Sequence, residues 1–196
     1  MNTHVIINGE NIQGSAETFK VLNPANEEVI TEIASATPEQ VNQAVQAATE
    51  AFKQWKNISD EEINNSFSKI ANDIRQEKKE IARLITLEQG KPLGLAEFEV
   101  EAGASWIEYI ASLEIPVETI QEPGGKTIQV YNRPLGVVAS ITPWNWPFMI
   151  AVWHLFPALK TKNCIVNKPS EYTPLSTVKL VEIINRHVPK GVCSVV

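Results

Sequence analysis

The chain has 196 residues, 43% apolar and 20% charged, which is the composition of a globular protein and not of a disordered one. Its formal net charge of −6 excludes nucleic acid or an anionic membrane as the main partner, because both demand clustered positive charge. Two cysteines cannot build a disulfide framework, and the length is that of one domain or two small ones.

Met1 to Asn8 carries no basic stretch followed by an apolar core, so no secretory signal is expected. The longest apolar run, Trp144 to Leu159, contains His154 and Pro157 and falls short of the ~20 residues of a membrane span. The expected location is the cytoplasm. Val5 to Val21 reads as strand, punctuated by Gly and Asn. Thr37-Pro38-Glu39-Gln40 is a helix start: Thr37 caps, Pro38 suits the first position and Gln40 completes a capping box. Val41, Ala44, Val45, Ala48, Ala51, Phe52 and Trp55 then follow at helical spacing. Ser59 with Glu62 repeats the box, and Ile63, Phe67, Ile70 and Ile74 form the next stripe. Ile81, Leu84 and Ile85 carry helical character up to Gly90, a C-terminal stop, and a further helix is expected from near Leu93 to Leu113.

The character changes at Pro123-Gly124-Gly125. Thr127 to Asn132 alternates as an edge strand does. Gly136 to Thr142 is a β-branched run, Pro147 to Lys160 a helix, and Cys164 to Asn167 a buried strand. Pro174 to His187 is helical and Val192 to Val196 is strand again. The order βαβαβ implies parallel strands with right-handed crossover helices. The fold class is therefore α/β: an incomplete doubly wound, Rossmann-like parallel sheet preceded by a helical N-terminal arm. Residues 1–122 are expected to form the N-terminal strands and helical arm, 123–135 a strand or hairpin, and 136–196 the βαβαβ part.

In such sheets ligands bind outside the carboxyl ends of the strands. Two segments fall there: Pro143-Trp144-Asn145-Trp146-Pro147 after the first strand, and Asn167-Lys168-Pro169-Ser170-Glu171 after the second. The Asn145 amide suits donation to a developing oxyanion, and the same position suits an N-cap for the helix near Pro147. Lys168 and Glu171 either hold ribose hydroxyls or form a solvated surface pair. Cys164 and Cys193 lie in apolar strands and read as inert core residues, and His154 reads as packing. No cluster of His, Cys or carboxylates has metal-ligand spacing.

These segments resemble the N-terminal part of the NAD(P)-dependent aldehyde dehydrogenase superfamily. The resemblance is carried by "NPANEEVI" at Asn23 to Ile30, "LEQGKP" at Leu87 to Pro92 and "RPLGVVASITPWNWP" at Arg133 to Pro147. "NCIVNKPSEYTPLS" at Asn163 to Ser176 and "PKGVCSVV" at the end complete it. It implies that Asn145 stabilises the oxyanion of a cysteine thiohemiacetal. It implies that Ile141, Thr142, Pro143 and Trp144 line the nicotinamide side of the cofactor groove together with Asn145. Lys168 and Glu171, with Ser170 alongside, would contact the adenosine ribose. The cofactor would be NAD, with NADP as the alternative; Glu171 would repel a 2′-phosphate and Lys168 would partly offset that. The substrate would be a small aldehyde oxidised to a carboxylic acid. Thr127 to Asn132 resembles the family's oligomerisation strand, so a homo-oligomer is implied.

Three departures stand out. Lys160-Thr161-Lys162-Asn163 occupies a turn where small residues and a glycine are usual, so Lys162 is expected to be strained if its φ is positive. Trp146 replaces the usual Phe, and Asn167 stands where an apolar residue is common, with little expected consequence. The family's nucleophilic cysteine, general-base glutamate and pyrophosphate turn are expected downstream of Val196, and no G-x-G-x-x-G occurs here. The 196 residues alone are therefore expected to be inactive. The alternative is a truncated or split product that self-associates through an unpaired strand edge at Val192 to Val196.

Overall fold

The computed structural model describes residues 4–121 and 124–196. Met1 to Thr3, Glu122 and Pro123 lie outside the described residues, and with them the change of character at Pro123 and the boundary between 122 and 123. Short apolar runs separated by turn residues make four strands first: β1 (Val5–Ile7), β2 (Glu10–Ile12), β3 (Thr18–Leu22) and β4 (Val29–Ala34). Asn8 and Gly9, with φ of 54° and 71°, form the two-residue turn that joins β1 to β2. β3 and β4 are a second antiparallel hairpin, of which the sequence reading saw only the first strand.

Helix α1 (Pro38–Trp55) starts on the expected box, Thr37 Oγ1 accepting from the Gln40 N–H and Gln40 Oε1 from the Thr37 N–H. Ala44, Ala48 and Trp55 face the core, while Val45 is turned to the surface. Helix α2 (Asp60–Gln76) starts on the Ser59–Glu62 box, and Ile63, Phe67, Ile70 and Ile74 are fully buried. The helical run then breaks at Glu77 and resumes as α3 (Lys78–Gln89). Gly90 ends α3 with φ 79°, in the left-handed region that glycine tolerates. Helix α4 (Leu93–Ser112) crosses α2, α3 and α5 (Pro147–Lys160). Gly103 allows the α4–α5 approach, because a Cβ there would lie 2.8 Å from Phe148 Cε1. Phe67 and Phe156 meet edge to face at 4.9 Å and tie α2 to α5.

An exposed hairpin, β5 (Glu118–Gln121) and β6 (Thr127–Val130), precedes the expected βαβαβ unit. That unit is β7 (Val137–Ile141), α5, β8 (Cys164–Lys168), α6 (Leu175–Asn185) and β9 (Cys193–Val195). The main sheet runs β2-β1-β9-β8-β7. β7, β8 and β9 are parallel, with Ile141 opposite Lys168 and Ile165 opposite Cys193. The expected unpaired edge at Val192 to Val196 is not there. β1 lies antiparallel on β9, with Ile6 opposite Val195. The reason is burial: all three residues of β1 are apolar and core, so the strand finds its place inside the sheet and not at its rim. Among the described residues the edges of the sheet are β2 and β7. No helix of the described residues is long and apolar enough to cross a membrane.

Lys162 has φ 63°, as the turn sequence implied. A left-handed non-glycine costs ~1–2 kcal/mol. Its surface bridge to Asp60, 3.0 Å, offsets little of that. Lys162→Gly is expected to stabilise the fold by about 0.5 kcal/mol, once glycine's greater freedom in the unfolded chain is subtracted. A urea midpoint that falls in this variant would show that the Asp60 bridge outweighs the strain.

Candidate functional site

The carboxyl ends of the three parallel strands open on a cavity of about 670 Å³. Ile141 of β7, Lys168 of β8 and Val195 of β9 reach it, with Ser170 and Glu171 from the following loop. Phe19 and Ile33 of the second hairpin close the opposite wall. The parallel register places Ile141 beside Lys168, which is why one strand-end loop serves the same space as the other.

The polar groups there are loosely held. Lys168 Nζ donates to the Pro169 carbonyl at 3.1 Å and lies 3.9 Å from Glu171 Oε2. With side chains 55% and 57% exposed, that pair contributes almost nothing to stability and is free to open onto a ligand. Ser170 is buried, and its Oγ accepts from the Tyr172 N–H at 3.3 Å, which leaves its own hydrogen to donate. Thr142 donates its N–H to the Lys168 carbonyl at 3.1 Å. Its Oγ1 is buried without a hydrogen-bond partner among the described residues.

Thr142, Pro143, Trp144 and Asn145 continue the same rim but do not line the cavity. Pro143, Trp144 and Asn145 are exposed. The Asn145 side chain makes no hydrogen bond among the described residues and does not cap α5. The N-cap residue is Trp146, whose side chain makes no capping bond. The cap comes from α4 instead: Glu99 Oε1 accepts from the Phe148 N–H at 3.2 Å and the Met149 N–H at 3.0 Å. Glu99 is fully buried and paired with Lys91.

Helix α6 is capped in the same way from α3. Glu88 accepts from the Leu175 N–H at 2.6 Å, the Ser176 N–H at 2.9 Å and Ser176 Oγ at 2.5 Å. Burial pushes its carboxyl up to about 7, against the pull of those three donors. Glu88, Lys91 and Glu99 have no role in the sequence reading. A signal was present: Glu88 falls four residues after Leu84 on a buried stripe, and Glu99 three after Ala96 on another. A carboxylate at a core-facing helical position marks a buried partner.

His154 is not packed as expected. It is exposed on α5, and its Nδ1 lies 3.1 Å from Ser140 Oγ. Asn167 carries more than expected as well. It is fully buried and donates across to Ser140 O at 3.2 Å and Ser140 Oγ at 3.1 Å, locking β8 to β7. Burial pushes the thiols of Cys164 and Cys193 up to about 12, so neither supplies a thiolate at neutral pH.

A βαβαβ sheet with a ligand-sized cavity at its strand ends places the molecule in the Rossmann-like, nucleotide-binding class. The model of the aldehyde dehydrogenase family matches residues 12–196, and the chain belongs to that family. PnpE from Pseudomonas sp. WBC-3 is 36% identical with TM-score 0.95, over 100% of this chain and 41% of its own. PnpE has also been solved in complex with nicotinamide adenine dinucleotide. A double mutant of betaine aldehyde dehydrogenase from Staphylococcus aureus, in complex with NAD+, is 32% identical with TM-score 0.94, over 100% of this chain and 41% of its own. FUS7 of Gibberella fujikuroi is 37% identical over 183 residues, covering 93% of this chain and 40% of its own. The chain therefore spans about 40% of the length of the relatives it matches and corresponds to their N-terminal portion.

Proposed function

We propose that the chain is the cofactor-binding part of an enzyme that oxidises an aldehyde to a carboxylic acid with NAD(P)+. The observation that carries this is the cavity at the strand ends, which joins Lys168, Ser170 and Glu171 in a member of this family. The donor set fits a ribose: a carboxylate to accept from hydroxyls, an ammonium and a hydroxyl to donate, and apolar walls for a base. Glu171 and Lys168 would hold the adenosine ribose, with Ser170 beside them. Ile141, Thr142, Pro143 and Trp144 would carry the groove on toward the nicotinamide. When bound, the cofactor supplies the hydride acceptor. Asn145, exposed and unpartnered, would donate its amide to the oxyanion formed when a thiolate attacks the aldehyde. That thiolate belongs to neither cysteine of this chain, so the 196 residues alone are expected to show no aldehyde oxidation.

Glu171 favours NAD, since a second negative charge at the 2′ position would face its carboxylate. Titrating the chain with millimolar NAD should shift the amide resonances of residues 168–171, with NADP weaker. Glu171→Gln should narrow the preference about fivefold, the equivalent of ~1 kcal/mol of repulsion. No shift at 168–171 with either nucleotide would sink the assignment of the cavity.

The setting we infer is cytoplasmic, and the assembly a homo-oligomer. The β5–β6 hairpin supports the latter. Among the described residues it has two strands and no third, and Ile120, Ile128 and Val130 are exposed on it. A lone hairpin of this kind is marginal in water and gains from a neighbour's strand.

A further inference from the structure

We propose that Lys91 and Glu99 form a clamp that positions the Asn145 loop, so that both are positioning residues for the oxyanion amide. The proposal rests on the oxyanion reading of Asn145 given above.

The backbone donors at the start of α5 define the problem. A helix leaves its first four N–H groups without partners inside the helix. Pro147 has none to offer, and the first bond inside α5 is from the Ile150 N–H to the Trp146 carbonyl at 2.9 Å. Phe148 and Met149, at the second and third helical positions, both donate to Glu99 Oε1. The carboxylate sits at the positive end of the α5 dipole, which favours its charge. A carboxylate this deeply buried still demands a counter-ion, and Lys91 supplies it through Oε2.

Lys91 then reaches the loop itself. Its Nζ lies 3.8 Å from the centroid of the Trp146 ring and 3.4 Å from the Asn145 carbonyl oxygen. Gln89 Nε2 approaches the same oxygen at 3.5 Å. An ammonium has three donors, and all three directions are occupied: a carboxylate, a carbonyl and an aromatic face. The backbone of Asn145 and the ring of Trp146 are thus held on the inner side. The Asn145 amide is left pointing out, with nothing else on it. Gly90, with φ 79°, makes the turn between α3 and Lys91, and a Cβ there would also lie 2.9 Å from Pro24 Cγ. Catalytic groups misplaced by about 1 Å lose ~100-fold in rate, so a loop of prolines and tryptophans with one exposed amide needs such a clamp.

Lys91→Met alone would strand a buried carboxylate and threatens the fold. The test is therefore Lys91→Met/Glu99→Gln, which removes both charges and keeps an oxygen for the α5 donors. In this chain, nitrogen-15 relaxation should show Trp144 to Trp146 and the Asn145 side-chain amide loosened, with α1 and α2 unchanged. Lys91→Arg should restore part of the order. In the complete enzyme, kcat should fall about 10- to 100-fold with the cofactor KM unchanged, and no further in an Asn145→Ala background. Unaltered loop order in the double variant overturns the clamp, as does a kcat loss that adds fully to that of Asn145→Ala. A loosened loop with Asn145→Ala still fully active overturns the oxyanion reading instead and leaves the clamp standing.

Discussion

Asn145→Ala is expected to lower kcat for aldehyde oxidation about 100- to 1,000-fold in the complete enzyme, as loss of one oxyanion donor does elsewhere. Contacts to the adenosine ribose should be unchanged, because the ribose side of the cavity is built by other residues. Stability should stay within about 0.5 kcal/mol, since the side chain is exposed and the helix that follows is capped by Glu99. The separation of the two effects is the informative part. Had Asn145 been the N-cap, alanine would have cost ~1 kcal/mol of fold as well. Thermal unfolding and steady-state kinetics on the same variant therefore test both readings. Retained kcat would remove Asn145 from the chemistry. A lowered melting point with retained kcat would return it to a structural role.

Glu88→Ala should destabilise the fold by about 3 kcal/mol. Two backbone N–H groups and a hydroxyl lose their acceptor inside the core. Urea unfolding measures it, and a cost below 1 kcal/mol would mean that water replaces the carboxylate. The pH dependence carries a sign. The folded carboxyl is raised from 4.5 to about 7, so between those values the folded protein keeps a proton that the unfolded chain has released. The contribution of this group is fully present below about 4.5, and stability declines as pH rises through the window to 7. Glu88→Gln, which cannot titrate, should lose that slope while keeping one acceptor oxygen. An unchanged slope would assign the titration to another group.

Much of the chain was legible without coordinates because its signals are local. A capping box spans four residues, and Thr37–Gln40 and Ser59–Glu62 mark their helices correctly. The apolar stripe of α2 needs only the 3.6-residue period. Alternating strand and helix in 136–196 is enough for parallel pairing, and that places the loops after β7 and β8 on one rim. It brings the segment 167–171 to that rim, while the ribose reading of Lys168, Ser170 and Glu171 rests on the family resemblance.

The rest depended on partners far away in sequence. β5 is exposed throughout, so its strand character is conferred by the hairpin it joins, whereas the Val, Ile and Thr of β4 are a local strand signal that the sequence reading passed over. Glu99 reaches amides 49 and 50 residues on, and Glu88 amides 87 and 88 residues on. Periodicity shows only that such a carboxylate is out of place on an apolar stripe; it does not show what the group will meet. The same holds for β1 against β9, where Ile6 pairs with Val195. By itself the sequence determined most of the elements, the parallel unit and the rim at its strand ends, because each follows from residues within one or two turns of one another. Tertiary structure alone decided which strand covers β9, which buried carboxylates cap the two crossover helices, and that the Asn145 amide is left free, because burial and ion pairing are settled between segments and not within them.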